Sequence, residues 1–147
     1  MRLTVMIVAS AQAYRAGVEK MIVDATPDLF VTLAFNRAAT LDGARASLRK
    51  FLARIARATV GPKWQKRQEQ CAKSIAIAEN VDTNLHLHLA LTVPLEHRLA
   101  VKSLSAAIWC DLEPAGSVDV QDVSDAVGLA NYMTKQIAPE KSDHLLL

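Results

Sequence analysis

Apolar and polar residues alternate in two stretches of the first third of the chain. Apolar side chains recur at every second position in residues 3–9 and again in residues 30–36 (FVTLAFN), which is typical of β-strands with one buried face. Residues 13–24 between them favour a short helix that ends before Pro27. The start of the chain also resembles a secretory signal, but its apolar run is minimal, so we interpret it as a strand.

A longer helix with one apolar face is predicted next. Thr40 is a suitable N-cap, and Gly61 and Pro62 provide a stop. Between them, apolar residues recur at intervals of three and four, at Leu48, Phe51, Leu52 and Ile55.

A hairpin and a second helix are predicted to follow. Residues 74–79 and 85–93 favour strands, with a turn at residues 80–84. Residues 95–110 favour a helix whose inward face is expected to carry Leu99, Leu104, Ala107 and Ile108.

The last part of the chain adds a strand and a helix. Residues 117–121 (SVDVQ) alternate again, and Ser124 and Asp125 are suitable caps for a helix that runs to about residue 137, before Pro139.

The order of elements from residue 30 onward is β-α-β-β-α-β-α. This order predicts an α+β fold of the ferredoxin-like, split βαβ type, with an antiparallel sheet, helices on one face and strand 85–93 in the middle. A length of 147 residues suits a single domain. We divide it into a core of residues 30–138, an N-terminal strand and helix in residues 1–29, and a tail in residues 139–147.

Composition narrows the class of protein. With 51% hydrophobic residues, the chain is not expected to be disordered, and a net charge of +2 is too mild to indicate nucleic acid by itself. Residues 45–73, however, contain nine Lys or Arg residues and one acidic residue, which is either a solvated face or a binding surface. Cys71 and Cys110 lack metal-ligand spacing, so free thiols in a reducing cytoplasm are expected, and no stretch has transmembrane length.

Candidate chemistry begins on the strand predicted to lie mid-sheet. In LHLHLAL the leucines share one face, and His86 and His88 lie side by side on the other. Two imidazoles two residues apart can bind a single divalent cation, although a polar pair on an open sheet face needs no metal.

The last helix carries the second candidate group. In the segment ANYMTKQ, Tyr132, Lys135 and Gln136 share one helix face because they are spaced i, i+3 and i+4. Tyr132 is either a packing residue with its hydroxyl at the rim or a nucleophile, with Lys135 one turn away as an assisting cation.

These motifs together resemble the HUH endonucleases, in particular the rolling-circle replication initiators. FVTLAFN, LHLHLAL and ANYMTKQ stand in the order and on the elements of the three motifs of that family, over residues 30–138. The resemblance implies that His86 and His88 bind Mg²⁺ or Mn²⁺. It also implies that Tyr132 attacks a phosphate of single-stranded DNA to leave a 5′-phosphotyrosine, assisted by Lys135, in a single-tyrosine enzyme.

The third metal ligand has two candidates. The resemblance favours Glu79, from the preceding strand, and the competitor is Gln136, since single-strand transposases of the superfamily use a Gln four residues after the tyrosine. If a four-residue loop of residues 80–83 joins the two strands, Glu79 pairs with Asn84 and shares a face with His86, whereas a five-residue loop would reverse this parity.

The resemblance also implies a partner and a cellular role. Single-stranded origin or hairpin DNA is the expected substrate, with contacts from Lys63, Trp64, Lys66 and Arg67, although Trp64 could instead anchor the loop to the core. No phosphate-binding loop of an ATPase occurs, so unwinding would need a separate helicase. We expect a cytoplasmic protein of bacterial or mobile-element origin, with a transposase or a non-catalytic single-strand-binding module as alternatives.

Overall fold

A computed structural model describes the backbone of residues 2–147 and the side chains of residues 10–147. The helices and strands within this range are α1 (Arg2–Asp24), β1 (Leu29–Ala34), α2 (Leu41–Val60), β2 (Lys73–Glu79), β3 (His86–Thr92), α3 (Arg98–Leu112), β4 (Ser117–Asp122), α4 (Ala126–Met133) and β5 (Leu145–Leu146).

The strands form one antiparallel sheet in the order β4-β1-β3-β2-β5. This confirms the predicted α+β class, since the architecture is consistent with a ferredoxin-like split βαβ fold and β3 lies between β1 and β2. The short strand β5 was not predicted. It pairs with β2 and covers part of an edge that would otherwise be open.

One face of the sheet is covered by α2 and α3. The four leucines of the central strand segment are buried there, as are Leu48, Phe51 and Ile55 of the predicted apolar face of α2. Thr40 caps α2 as predicted, with its Oγ1 accepting a hydrogen bond from the Gly43 backbone N–H at 3.0 Å. This layer contains the larger of the two hydrophobic cores.

The opposite face of the sheet is covered by α1 and α4. A smaller core lies between these helices and the sheet, and it includes Val18 and Ile22 from α1, Ile77 and Ala90 from the sheet, and Met133 from α4. The polar groups of the central strand therefore lie beside a second helical layer. The sequence analysis predicted helices on one face of the sheet and did not place α1 or α4 on the other.

The predicted strand over residues 3–9 is wrong, because α1 begins at Arg2. Nearly every position from Leu3 to Ala9 is apolar, so the pattern fits a period of two and a helical period equally well. A helix satisfies its own backbone hydrogen bonds and needs no neighbouring strand. The predicted helix over residues 13–24 is the second half of α1, and α4 ends at Met133, earlier than expected.

The predicted inward face of α3 is wrong except at Ile108, which packs against the larger core. Leu99 is 76% exposed and Leu104 is 38% exposed, whereas the buried residues are Val101, Ser105 and Trp109. Trp109 sets this rotation of the helix: its ring packs edge-on against Phe35 and Phe51. Its indole N–H donates to the Ala34 carbonyl at 2.9 Å.

The two cysteines are free, as predicted, with Cys71 buried and Cys110 exposed. Within residues 2–147, none of the helices combines the length and the apolar character needed to cross a membrane.

The space around Gly116 and Gly17 predicts opposite effects when each is replaced by alanine. A Cβ at Gly116 would lie 2.5 Å from Trp109 Nε1 and 2.8 Å from the Ala34 carbonyl oxygen, so Gly116→Ala should destabilise the fold by about 1–3 kcal/mol. A Cβ at Gly17 meets nothing within 4 Å, so Gly17→Ala should stabilise α1 by about 0.5–1 kcal/mol. Urea unfolding of both variants checks this, and equal effects would contradict it.

Candidate metal centre

The β2–β3 hairpin brings together three of the predicted site residues. Glu79 pairs directly with His86, and residues 80–85 connect the two strands. This loop is longer than the one considered from the sequence, but it also has an even number of residues, so Glu79 shares the face of His86 and His88 as expected for that parity. Asn80 adopts a positive φ of 52° as the chain leaves β2.

Three side-chain atoms converge at this point. Glu79 Oε2 lies 2.7 Å from His86 Nε2 and 2.5 Å from His88 Nε2, and the two Nε2 atoms are 3.1 Å apart. Glu79 and His88 are buried, and His86 is 16% exposed. Among the described residues, this His–His–Glu cluster is the set of His, Cys, Asp and Glu side chains whose ligand atoms lie close enough to one another to hold a metal ion.

The far nitrogen of each histidine has its own partner. His86 Nδ1 lies 3.1 Å from the Asn84 carbonyl oxygen, which can accept a hydrogen bond from it. His88 Nδ1 lies 3.2 Å from Thr32 Oγ1, which can accept in the same way. In the tautomer with the proton on Nδ1, each Nε2 would present a lone pair to a cation at the centre of the cluster.

The spacing of the three atoms is compatible with a divalent cation. Two ligand atoms at right angles around a six-coordinate ion are separated by about 3.0 Å when each lies about 2.1 Å from it. The three separations here are close to that value, so small movements would place all three atoms on one face of a coordination octahedron.

The charge states suit metal binding. Burial of Glu79 would raise its pKa, but hydrogen bonds from Lys135, His86 and His88 outweigh burial and hold the pKa below its ordinary value. Burial lowers the pKa of His88, although Glu79 opposes this. At neutral pH the cluster therefore offers a carboxylate and a neutral imidazole from His88, which are the ligand forms of these groups.

Tyr132 lies beside the cluster on α4. Its ring centroid is 5.5 Å from that of His88, and both rings contact Phe30. Tyr132 is 48% exposed, so its phenol is open to a ligand in solution.

Lys135 connects the tyrosine to the cluster. Its Nζ lies 3.0 Å from Glu79 Oε1 and 3.8 Å from the centre of the Tyr132 ring. Burial would lower the pKa of Lys135, but hydrogen bonds with Glu79 and Tyr132 raise it overall, so the ammonium form is favoured. One carboxylate therefore contacts the histidines through one oxygen and this ammonium through the other.

A polar network from α1 holds the end of α4, and sequence reasoning missed it. Thr134 is fully buried, and its Oγ1 lies 3.0 Å from Glu19 Oε1. Arg15 donates to Glu19 at 3.0 Å and to a backbone carbonyl of α4 at 3.3 Å. Since the two residues after Tyr132 are Met133 and Thr134, these bonds fix the segment that presents the tyrosine. The Arg15–Glu19 spacing of i, i+4 was the available signal.

Three further polar side chains lie at the margins of the site. Asp119 pairs with Thr32, which in turn pairs with His88, so Asp119 and Gln121 occupy the histidine face, where they hydrogen-bond to each other at 2.7 Å. Gln136 lies beyond the end of α4 and is exposed.

The predicted DNA contacts Lys63, Trp64, Lys66 and Arg67 are not brought to this site. Their segment connects α2 to the Lys73 end of β2, and the Trp64 carbonyl lies 3.7 Å from Cys71 Sγ at that end. Glu79 lies at the other end of β2, about 20 Å away along a strand of this length. Their role in DNA binding stays a prediction.

No family model, no curated protein and no solved structure matches the chain. Interpretation of the site therefore depends on its own geometry and on the resemblance of its motifs to those of the HUH endonucleases.

Proposed function

We propose that the protein is a metal-dependent, single-tyrosine endonuclease that nicks and rejoins single-stranded DNA. The observation that carries this proposal is the exposed phenol of Tyr132 beside the buried His–His–Glu cluster, with Lys135 in contact with both. A packing tyrosine would not need an ammonium group at its ring, nor three convergent ligand atoms at its side.

Glu79, His86 and His88 would hold the metal, with Glu79 as the third ligand. Two imidazoles and one carboxylate suit Mn²⁺, and Mg²⁺ is the alternative for a phosphate substrate. When bound, such an ion supplies Lewis-acid polarisation of a phosphate oxygen. With three protein ligands, such an ion would keep further coordination positions for a phosphate oxygen of the substrate.

Tyr132 would act as the nucleophile. Its Oη forms a bond to the phosphorus of the scissile phosphodiester, and the bond from phosphorus to the 3′ oxygen breaks. The phenolic proton passes to solvent, and the leaving oxygen takes a proton from solvent, so the products are a 5′-phosphotyrosine and a free 3′-hydroxyl. One phosphodiester replaces another, so the reverse attack by a 3′-hydroxyl rejoins the strand.

Lys135 would stabilise charge during this exchange. Its ammonium lies over the ring of the nucleophile and in contact with Glu79, where a phosphate would gain a charge-assisted hydrogen bond. Its contact with Glu79 keeps it in place before the substrate arrives.

Initiation of rolling-circle replication is the cellular role that we favour, with unwinding by a separate helicase. The single-strand transposase alternative uses a Gln as third ligand, whereas the residue in this cluster is Glu79 and Gln136 is exposed.

Covalent capture tests the proposed function. The protein is incubated with Mn²⁺ and a pool of random-sequence single-stranded oligonucleotides, because the target sequence is unknown. We expect a DNA–protein adduct that survives denaturing electrophoresis and is absent when EDTA replaces Mn²⁺. A protein that binds the pool without forming any adduct would instead be a non-catalytic binding module.

A further inference from the structure

The two tryptophans of the chain have different environments. Trp109 is fully buried, and its indole N–H is bonded to Ala34. Trp64 is only partly buried, and its indole N–H has no hydrogen-bond partner among the side chains and backbone that the structure describes. Trp109 therefore has a packing role, and the role of Trp64 needs another explanation.

Trp64 forms one wall of a surface pocket against α2. The pocket has a volume of about 230 Å³ and is lined by Lys50, Ala53, Arg54, Arg57 and Trp64, and we call it the Trp64 pocket. A cavity of about 150 Å³ accommodates benzene, so this one has room for the ring of a nucleobase. Gly61, with a φ of 116°, ends α2 and turns the chain so that Trp64 returns to the helix.

The cations around the pocket are largely available to a ligand. Arg54 is paired with Asp111, but Lys50 and Arg57 are exposed and make no ion pair within residues 10–147. They belong to the stretch of residues 45–73 with nine basic residues and one acidic residue. An aromatic face flanked by unpaired cations matches a base with its phosphates better than it matches a base-free anion.

We propose that the Trp64 pocket binds one nucleotide of single-stranded DNA, with the base stacked on Trp64 and the neighbouring phosphates contacting Lys50 and Arg57. The pocket lies on the α2 layer, whereas the metal centre lies on the opposite face of the sheet. It is therefore a second contact, outside the nicking site, that holds the strand while the nicking site acts on another segment. The choice of DNA as the polymer rests on the proposed function.

Binding measured without metal tests this proposal separately from catalysis. The affinity of a fluorescently labelled, unstructured oligodeoxythymidylate is measured by anisotropy in EDTA. Trp64→Ala should weaken binding roughly 5- to 150-fold, since stacking on one aromatic contributes about 1–3 kcal/mol, and Trp64→Phe should restore much of it. Thermal melts of both variants verify that they are folded. Unchanged affinity in folded Trp64→Ala overturns the proposal.

Two controls separate stacking from charge. Lys50→Ala should reduce the slope of log affinity against log salt by about 0.7, whereas Lys102→Ala should not, because Lys102 on α3 is already paired with Asp122 at 3.0 Å. Inorganic polyphosphate, which has no bases, should bind wild type and Trp64→Ala equally. If Trp64→Ala weakens polyphosphate binding as much as DNA binding, the pocket binds anions without stacking a base, and the stacking proposal is overturned.

The outcome is independent of the covalent assay. If wild type forms no adduct but Trp64→Ala weakens DNA binding, the proposed function is contradicted and nucleotide binding in the Trp64 pocket is supported. If adducts form at saturating DNA and Trp64→Ala leaves the affinity for DNA unchanged, nucleotide binding in the Trp64 pocket is contradicted and the proposed function is supported.

Discussion

Replacing Tyr132 by phenylalanine is expected to abolish the covalent DNA adduct while leaving the fold and DNA binding intact. The substitution removes only the hydroxyl oxygen that would bond to phosphorus. The ring contacts with Phe30 and His88 remain, and the side chain is half exposed, so stability should change little. Loss of a covalent nucleophile in a coupled site lowers the rate by more than about 10³-fold.

Tyr14 offers a matched control for this experiment. It is the other tyrosine of the chain and lies partly buried on α1, packed against the smaller core. Tyr14→Phe should form adducts at the wild-type level, and peptide mass spectrometry of the wild-type adduct should place the nucleotide on Tyr132. Adduct formation by Tyr132→Phe would contradict the assignment of Tyr132 as the nucleophile.

The second large effect is expected for the metal ligands. Mn²⁺ at 100 times its Kd should stabilise the wild-type protein by about 2.7 kcal/mol, which is a rise in Tm of roughly 5–10 °C for a chain of this length. Glu79→Gln keeps the shape of the side chain but removes its charge. We expect Mn²⁺ affinity to fall more than about 100-fold, since even residues that only support a ligand contribute 10–100-fold.

Gln136→Ala is the control that decides the third ligand. Gln136 is exposed and stands outside the cluster, so this variant should keep the full Mn²⁺-dependent rise in Tm. Calorimetric titration of Mn²⁺ into both variants measures the affinities directly. If Gln136→Ala loses the rise and Glu79→Gln keeps it, the ligand assignment is reversed.

The central part of the site could be predicted because strand geometry is simple. A period of two puts His86 and His88 on one face whatever the neighbouring strands do. The face of the sheet on which Glu79 lies depends only on whether the loop has an even or an odd number of residues. The loop is longer than the four residues considered, but its number is also even, so Glu79 lies on the predicted face. The contact between Lys135 and Glu79, by contrast, depends on how α4 packs on the sheet, which no local pattern encodes.

The errors of prediction have two physical causes. The rotation of α3 is set by where the large Trp109 side chain fits, so the more numerous leucines misled the prediction. The uniformly apolar start of the chain has no dominant period. The rotation of α3 depends on packing between residues far apart in the chain, as does the strand β5, whose two residues are too few to leave a pattern.

The sheet separates two cores of unequal size, and the proposed chemistry is divided between them. The metal ligands belong to central strands supported by the larger core, whereas Tyr132 belongs to a layer held by the smaller one. Segments with fewer buried contacts open at lower free energy than the rest of a protein. Under the proposed function, Tyr132 would separate from the His–His–Glu cluster by local opening of α1 and α4, and a covalently attached DNA end would move with it while the sheet stays folded.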